Sequence, residues 1–152
     1  MKSEVKFGER SVQITRLFDA PRPVVFGWWS EGAKLRQWSG CKEATRCEVL
    51  MDFRVGGGFT QKMHIAGKGE FAFTGTYDEI IVPEKIVYRA QFGPWTTRVV
   101  VEFQELGGRT RVALTHDGFP DEAFCKNIAQ GTADGLEKLE ALLAPAPEVR
   151  LP

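Results

Sequence analysis

The chain has 152 residues, 43% of them hydrophobic and 26% charged, which fits one globular domain able to bury a sizeable core. Twenty basic residues balance twenty acidic ones, so the long-range field of a nucleic-acid binder is missing, and no run of lysine or arginine replaces it. Three cysteines, Cys41, Cys47 and Cys125, form no CxxC pair and an odd count cannot close into a complete disulfide set, so the expectation is a reducing, cytoplasmic setting.

Residues 1–18 mix charges with single apolar residues and carry no continuous apolar stretch of the kind a signal peptide or a membrane span needs. Over residues 12–18 apolar positions alternate with Gln13 and Thr15, a period of two that predicts a half-buried strand. Pro21 suits a first helical position, and Val24, Val25, Trp28 and Trp29 then share a helical face. Ser30 is a candidate cap for a second short helix over residues 31–38, on which Leu35 and Trp38 point the same way.

A strand with Thr45, Cys47, Val49 and Met51 on one face leads to the corner Asp52-Phe53-Arg54-Val55-Gly56-Gly57, where successive glycines permit a tight bend. Phe59, Gln61, Met63 and Ile65 make one face of the next strand. Ala66-Gly67-Lys68-Gly69 reads as a hairpin connection to Phe71, Phe73, Gly75 and Tyr77. Residues 82–85 predict a turn with Pro83 in its second position. Ile86, Tyr88, Ala90 and Phe92 follow, then Trp95, Thr97, Val99, Val101 and Phe103, then Val112, Leu114 and His116 after the paired glycines Gly107-Gly108. These strands predict an antiparallel meander. Phe124, Ile128, Leu136, Leu139 and Leu143 form a stripe at helical spacing, and a helix over residues 120–143 would run about 36 Å. Gly131 and Gly135 would let it lie close to the sheet or to a bound molecule. The proline-bearing tail, residues 144–152, has no periodicity and is expected to be flexible, leaving residues 1–143 as one domain.

The element order is α+β and suggests a sheet wrapped around a terminal helix, which naturally leaves a cavity. Among the residues facing it, His116 has a plain reading as a histidine hydrogen-bonded beneath the helix and a functional one as a polar ligand contact. Asp117 points to the other side of the strand, so the adjacent pair is no catalytic dyad. Gln61 needs partners on its apolar face, from backbone, water or a ligand. Arg54 reads as a brace at the glycine corner. His64 and His116 are far apart and match no metal-ligand spacing, Gly56-Gly57-Gly58 lacks the ending of a phosphate loop, and Cys47 reads as a small buried hydrophobe. Neither cofactor nor metal is expected.

Phe18-Asp19-Ala20-Pro21 before Trp28-Trp29, Gln37-Trp38, the Asp52 to Gly57 corner, Gly75-Thr76-Tyr77-Asp78-Glu79-Ile80, Pro83-Glu84-Lys85-Ile86-Val87-Tyr88 and residues 110–119 together resemble small bacterial homologues of the C-terminal domain of the heat-shock protein 90 ATPase activator. That group lies within the START-like (SRPBCC, helix-grip) superfamily. The resemblance spans roughly residues 10–143. It implies a curved antiparallel sheet gripping the last helix, two short helices after the first strand closing one end, and a cavity between sheet and helix. It does not carry a reaction over, because one fold hosts many functions. The reading is a binder of a small hydrophobic or aromatic molecule, lined by Trp38, Met63, Phe73, Tyr88, Trp95, Phe124 and Ile128, with Gln61 and His116 as polar contacts. Two other readings stand beside it: a chaperone-partner module acting through its surface in a stress response, and a cyclase- or hydrolase-type enzyme with His116 as base. An exposed strand edge or the short helices could also pair two copies into a homodimer.

Overall fold

A computed structural model describes residues 3–39 and 44–143. The elements in chain order are β1 (Glu4–Gly8), β2 (Ser11–Phe18), α1 (Arg22–Ser30), α2 (Gly32–Trp38), β3 (Ala44–Met51), β4 (Gly58–Ile65), β5 (Gly69–Ile81), β6 (Lys85–Phe92), β7 (Trp95–Leu106), β8 (Arg109–Asp117) and α3 (Glu122–Leu143). The strands form a single eight-stranded antiparallel sheet in the order β1-β2-β8-β7-β6-β5-β4-β3. The expected α+β grip is therefore present, with β3 to β8 as the predicted meander. Alternation decides which face is buried: Thr97, Val99, Val101 and Phe103 of β7 and Thr110, Val112, Leu114 and His116 of β8 all point inward.

The helices close that face. Helix α3 packs on β2 and meets α2, while α2 in turn meets β3 at the far edge of the sheet. One charged group ties helix to sheet: the buried Arg16 of β2 donates to Glu140 of α3 and to Ser3. Trp38 donates its indole N–H to the Trp28 carbonyl at 2.9 Å and its ring sits 4.6 Å from that of Trp29, which locks the two short helices together. No helix among the described residues is long and apolar enough to cross a membrane.

Several local expectations need correcting. The two short helices follow the second strand, because an edge strand, β1, precedes the predicted one. Its Val5 and Phe7 are exposed, so the burial signal that reveals other strands is absent. On α1 the inward side chains are Val25, Phe26 and Trp29, whereas Val24 faces outward. Ser30 ends α1 rather than capping α2, whose cap position is Glu31. The turn after β5 is closed by the Glu84 N–H on the Ile81 carbonyl, which makes Pro83 its third residue, after a cis Val82–Pro83 bond. Pro120 lies outside α3. Asp121 supplies the cap instead, accepting the Phe124 N–H at 2.8 Å. The tail at residues 144–152 and Cys41 fall outside the described residues.

The glycine corner is built as its sequence predicts. Gly56 has φ +84°, and a Cβ on Gly57 would run into the Asp52 carbonyl. The Gly56 N–H donates to the Tyr77 carbonyl and the Tyr77 N–H to the Gly57 carbonyl, so the corner is stitched to β5. Arg54 braces it through the Asp52 carboxylate, Nε to Oδ2 2.7 Å, instead of through backbone carbonyls.

Candidate functional site

Between the inward faces of β4 to β8 and the N-terminal half of α3 lies a space of about 840 Å³. Period-two alternation supplies most of its walls. Phe59, Gln61, Met63 and Ile65 come from β4, and Phe71, Phe73 and Tyr77 from β5, with Gln61 opposite Phe73 and Met63 opposite Phe71 in the register. Ile86, Tyr88, Ala90 and Phe92 continue the wall on β6. Helix α3 provides the roof through Phe124, Ile128, Gly131 and Gly135, and α2 closes one end with Leu35 and Trp38. The nine side chains singled out from the sequence, Trp38, Gln61, Met63, Phe73, Tyr88, Trp95, His116, Phe124 and Ile128, all border this one space.

The aromatic rings of the wall pack on one another, some edge to face and some, such as Phe73 on Phe92 at 29° and 4.9 Å, stacked. Phe59 stands at 89° to Tyr88 with ring centres 5.3 Å apart, and Phe92 at 77° to Phe124 at 5.4 Å. The exposed members of the border are Lys68, Phe71, Ala72, Gly93, Trp95, Asn127 and Gln130, so the opening lies between the ends of the two hairpins and the first turns of α3. Trp95 and Phe71 keep 47% exposure each, apolar side chains at a mouth and not in a core.

The polar groups inside are few. His116 is buried beside Phe119, ring centres 4.4 Å apart, and loss of solvation lowers its imidazole from the ordinary 6.5 to about 4. Its Nε2 lies 2.7 Å from the Thr97 hydroxyl, which in turn donates to the Ala90 carbonyl at 3.1 Å. Burial likewise raises the phenols of Tyr77 and Tyr88, which stay neutral. Gln61 is buried on the same wall. Its amide nitrogen faces the sulfur of half-buried Cys47 at 3.6 Å. Such a lining attracts apolar surface and offers neutral hydrogen bonds. An imidazole held near 4 is a weak base at neutral pH, which works against proton abstraction by His116. Among the described residues no group of three or more His, Cys, Asp or Glu side chains is placed to hold a metal ion.

Sequence reasoning passed over Thr97 as a site residue, although a hydroxyl on the inward face of β7 between Trp95 and Val99 was a visible signal. It also left out Tyr77, Phe92 and the polar residues of α3, whose place depends on how far the helix stands from the sheet.

Comparison with known proteins follows the same geometry. The family described as "Activator of Hsp90 ATPase homolog 1-like protein" matches residues 19–144. The chain belongs to this Hsp90-activator-like family. Among solved structures, a Chromobacterium violaceum protein superposes with a TM-score of 0.83 at 25% identity, covering 90% of this chain and 99% of that one. The AHSA1 protein of Silicibacter pomeroyi gives 0.75 at 21% identity over 88% and 96% of the two chains. CalU16 of Micromonospora echinospora gives 0.73 at 19% over 95% and 88%. No curated protein matches the chain. These likenesses establish the helix-grip fold in which the activator-like family places its sheet and last helix.

Proposed function

We propose that this member of the activator-like family binds a small, neutral, largely apolar or aromatic molecule between the sheet and α3. The observation that carries the reading is the space itself: about 840 Å³, walled by aromatic and aliphatic side chains. Ligand sites of drug-sized molecules span about 300–1,000 Å³ and combine apolar walls with a few placed polar groups. Affinity would come from removing apolar ligand surface from water, at about 25 cal/mol per Å² before the costs of association. The cytoplasm, as read from an odd number of cysteines with no CxxC pair, is the proposed setting.

Two of the three exposed large aromatic side chains among the described residues support this reading over a surface module for a chaperone partner. Phe71 and Trp95 border the opening of the cavity, and only Phe7, on edge strand β1, lies away from it. Native mass spectrometry of the protein purified from its own host tests the proposal, with a co-purifying small molecule as the expected result. In parallel, Phe124→Trp should shrink the cavity and weaken binding of an apolar naphthalene probe several-fold in a folded protein. Unchanged affinity would remove Phe124 from the wall, and a wild-type protein that binds no apolar probe would sink the reading.

A further inference from the structure

The hydrogen bonds around His116 fix which of its nitrogens carries the proton. A hydroxyl has one hydrogen, and Thr97 Oγ1 has two neighbours for it, the Ala90 carbonyl and His116 Nε2. If Thr97 donated to the ring, the imidazole proton would sit on Nδ1 and no hydrogen would be left for the Thr97–Ala90 contact, so only one of the two contacts would be a hydrogen bond. If His116 Nε2–H donates to Thr97 and Thr97 donates to Ala90, both donors are satisfied and only a lone pair is left over. Two hydrogen bonds in place of one select the second arrangement, and Nδ1 is not among the buried side-chain atoms left without a partner, which leaves it open to the cavity. His116 therefore borders the cavity as a pure hydrogen-bond acceptor at Nδ1.

We infer that the cavity selects ligands bearing a neutral hydrogen-bond donor, a hydroxyl or an N–H on an apolar or aromatic frame, which His116 Nδ1 accepts while Thr97 holds the imidazole in the required tautomer. This rests on the ligand-binding reading above and sharpens it. Of the other polar groups on the border, the Asp134 carboxylate of α3 also only accepts, but it is engaged by the Gln130 amide at 2.9 Å, and the hydroxyls and amides do not discriminate in this way. The Tyr77 and Tyr88 hydroxyls both donate and accept, and the Gln61 amide does the same. A ligand carboxylate fits poorly at His116, because it would set lone pair against lone pair. The one lysine on the border, Lys68, is exposed in the hairpin at the opening, so a carboxylate deep inside would be desolvated without a cation. The ordinary fate of a buried histidine, bonded to its neighbours on both sides, is not met here.

Three matched probes separate the possibilities by calorimetry: 2-naphthol, its methyl ether 2-methoxynaphthalene, and 2-naphthoate. The naphthol should bind about tenfold more tightly than the ether, the worth of one good hydrogen bond, and the naphthoate more weakly than either. In His116→Phe, which keeps a flat ring against Phe119, the ratio of naphthol to ether should fall to about one. Thr97→Val should lower the ratio by freeing the tautomer. Should the His116 variant fail to fold, nitrogen NMR of the histidine-labelled wild type reads the same thing: Nδ1 should show the unprotonated signal and shift with the naphthol but not with the ether. Equal binding of naphthol and ether, a ratio that survives His116→Phe, or preferred binding of the naphthoate overturns the inference while leaving a binding cavity in place. Failure of both naphthol and ether to bind defeats the cavity reading, and this inference with it.

Discussion

His116 imposes a cost that the rest of the fold must offset, and that cost has a pH signature. Its imidazole sits at about 4 in the folded chain against 6.5 when exposed, with burial as the cause. Between those values the unfolded chain takes up a proton that the folded chain refuses. More protons bound by the unfolded state means that stability rises with pH, so the contribution is complete above pH 6.5 and is lost as pH falls toward 4. A shift of this size is worth on the order of 3 kcal/mol at the acid end. His116→Phe should therefore flatten the dependence of the urea-unfolding free energy on pH across that window. A slope identical to that of the wild type would show that the proton is taken up elsewhere.

Strand β5 faces a different constraint, one of space. Gly75 sits between β4 and β6, opposite Phe59 and Ala90, and a Cβ there would meet the Phe59 ring and the Arg89 carbonyl oxygen. Displacing the ring breaks its edge-to-face contacts with Phe73 and Tyr88, and the carbonyl belongs to a paired strand that cannot retreat. Gly75→Ala should cost about 1–3 kcal/mol in urea unfolding and distort the cavity wall; an unchanged midpoint would mean that Phe59 has room to move. Strands such as β4, β7 and β8 were legible in the sequence because each buries one face and turns at glycines, as where Gly107 and Gly108 take φ 56° and 82°. β1 was not legible, since an exposed edge strand has no buried face to write into the alternation. The face of α1 was ambiguous for the opposite reason: Val24, Val25, Phe26, Trp28 and Trp29 are all apolar, and only contact with Phe103 and Phe53 decides that Phe26 turns inward. The same limit applied at the site. The aromatic walls follow from which side each strand buries, but the Thr97–His116 bond joins positions 19 apart and exists only because the register sets Val99 against His116 on neighbouring strands.

At the scale of the molecule, α3 is held unevenly, and the unevenness is what leaves the interior open. Its second half carries Leu136 and Leu139, both fully buried, and the Glu140 contact with buried Arg16. Its first half packs on one side through Cys125 and Ala129, while Phe124, Ile128 and Gly131 face the cavity on the other. Two glycines at the junction, Gly131 and Gly135, add little helix propensity of their own, each costing about 1 kcal/mol relative to alanine. A helix with packing on one side only opens locally more often than one packed on both, and hydrogen exchange reads such openings directly. Backbone amides of residues 124–131 should therefore exchange faster than those of residues 134–139 in the free protein. An apolar ligand that fills the cavity binds the closed form and not the opened one, so it should slow exchange over residues 124–131 in proportion to its concentration over its dissociation constant. The paired amides of β7 and β8, whose exchange needs global unfolding, should gain protection only as far as overall stability rises. Equal slowing across the whole chain would show that α3 opens only with the rest of the fold, whereas no change over residues 124–131 under saturating 2-naphthol would place the bound molecule outside the space beneath the helix.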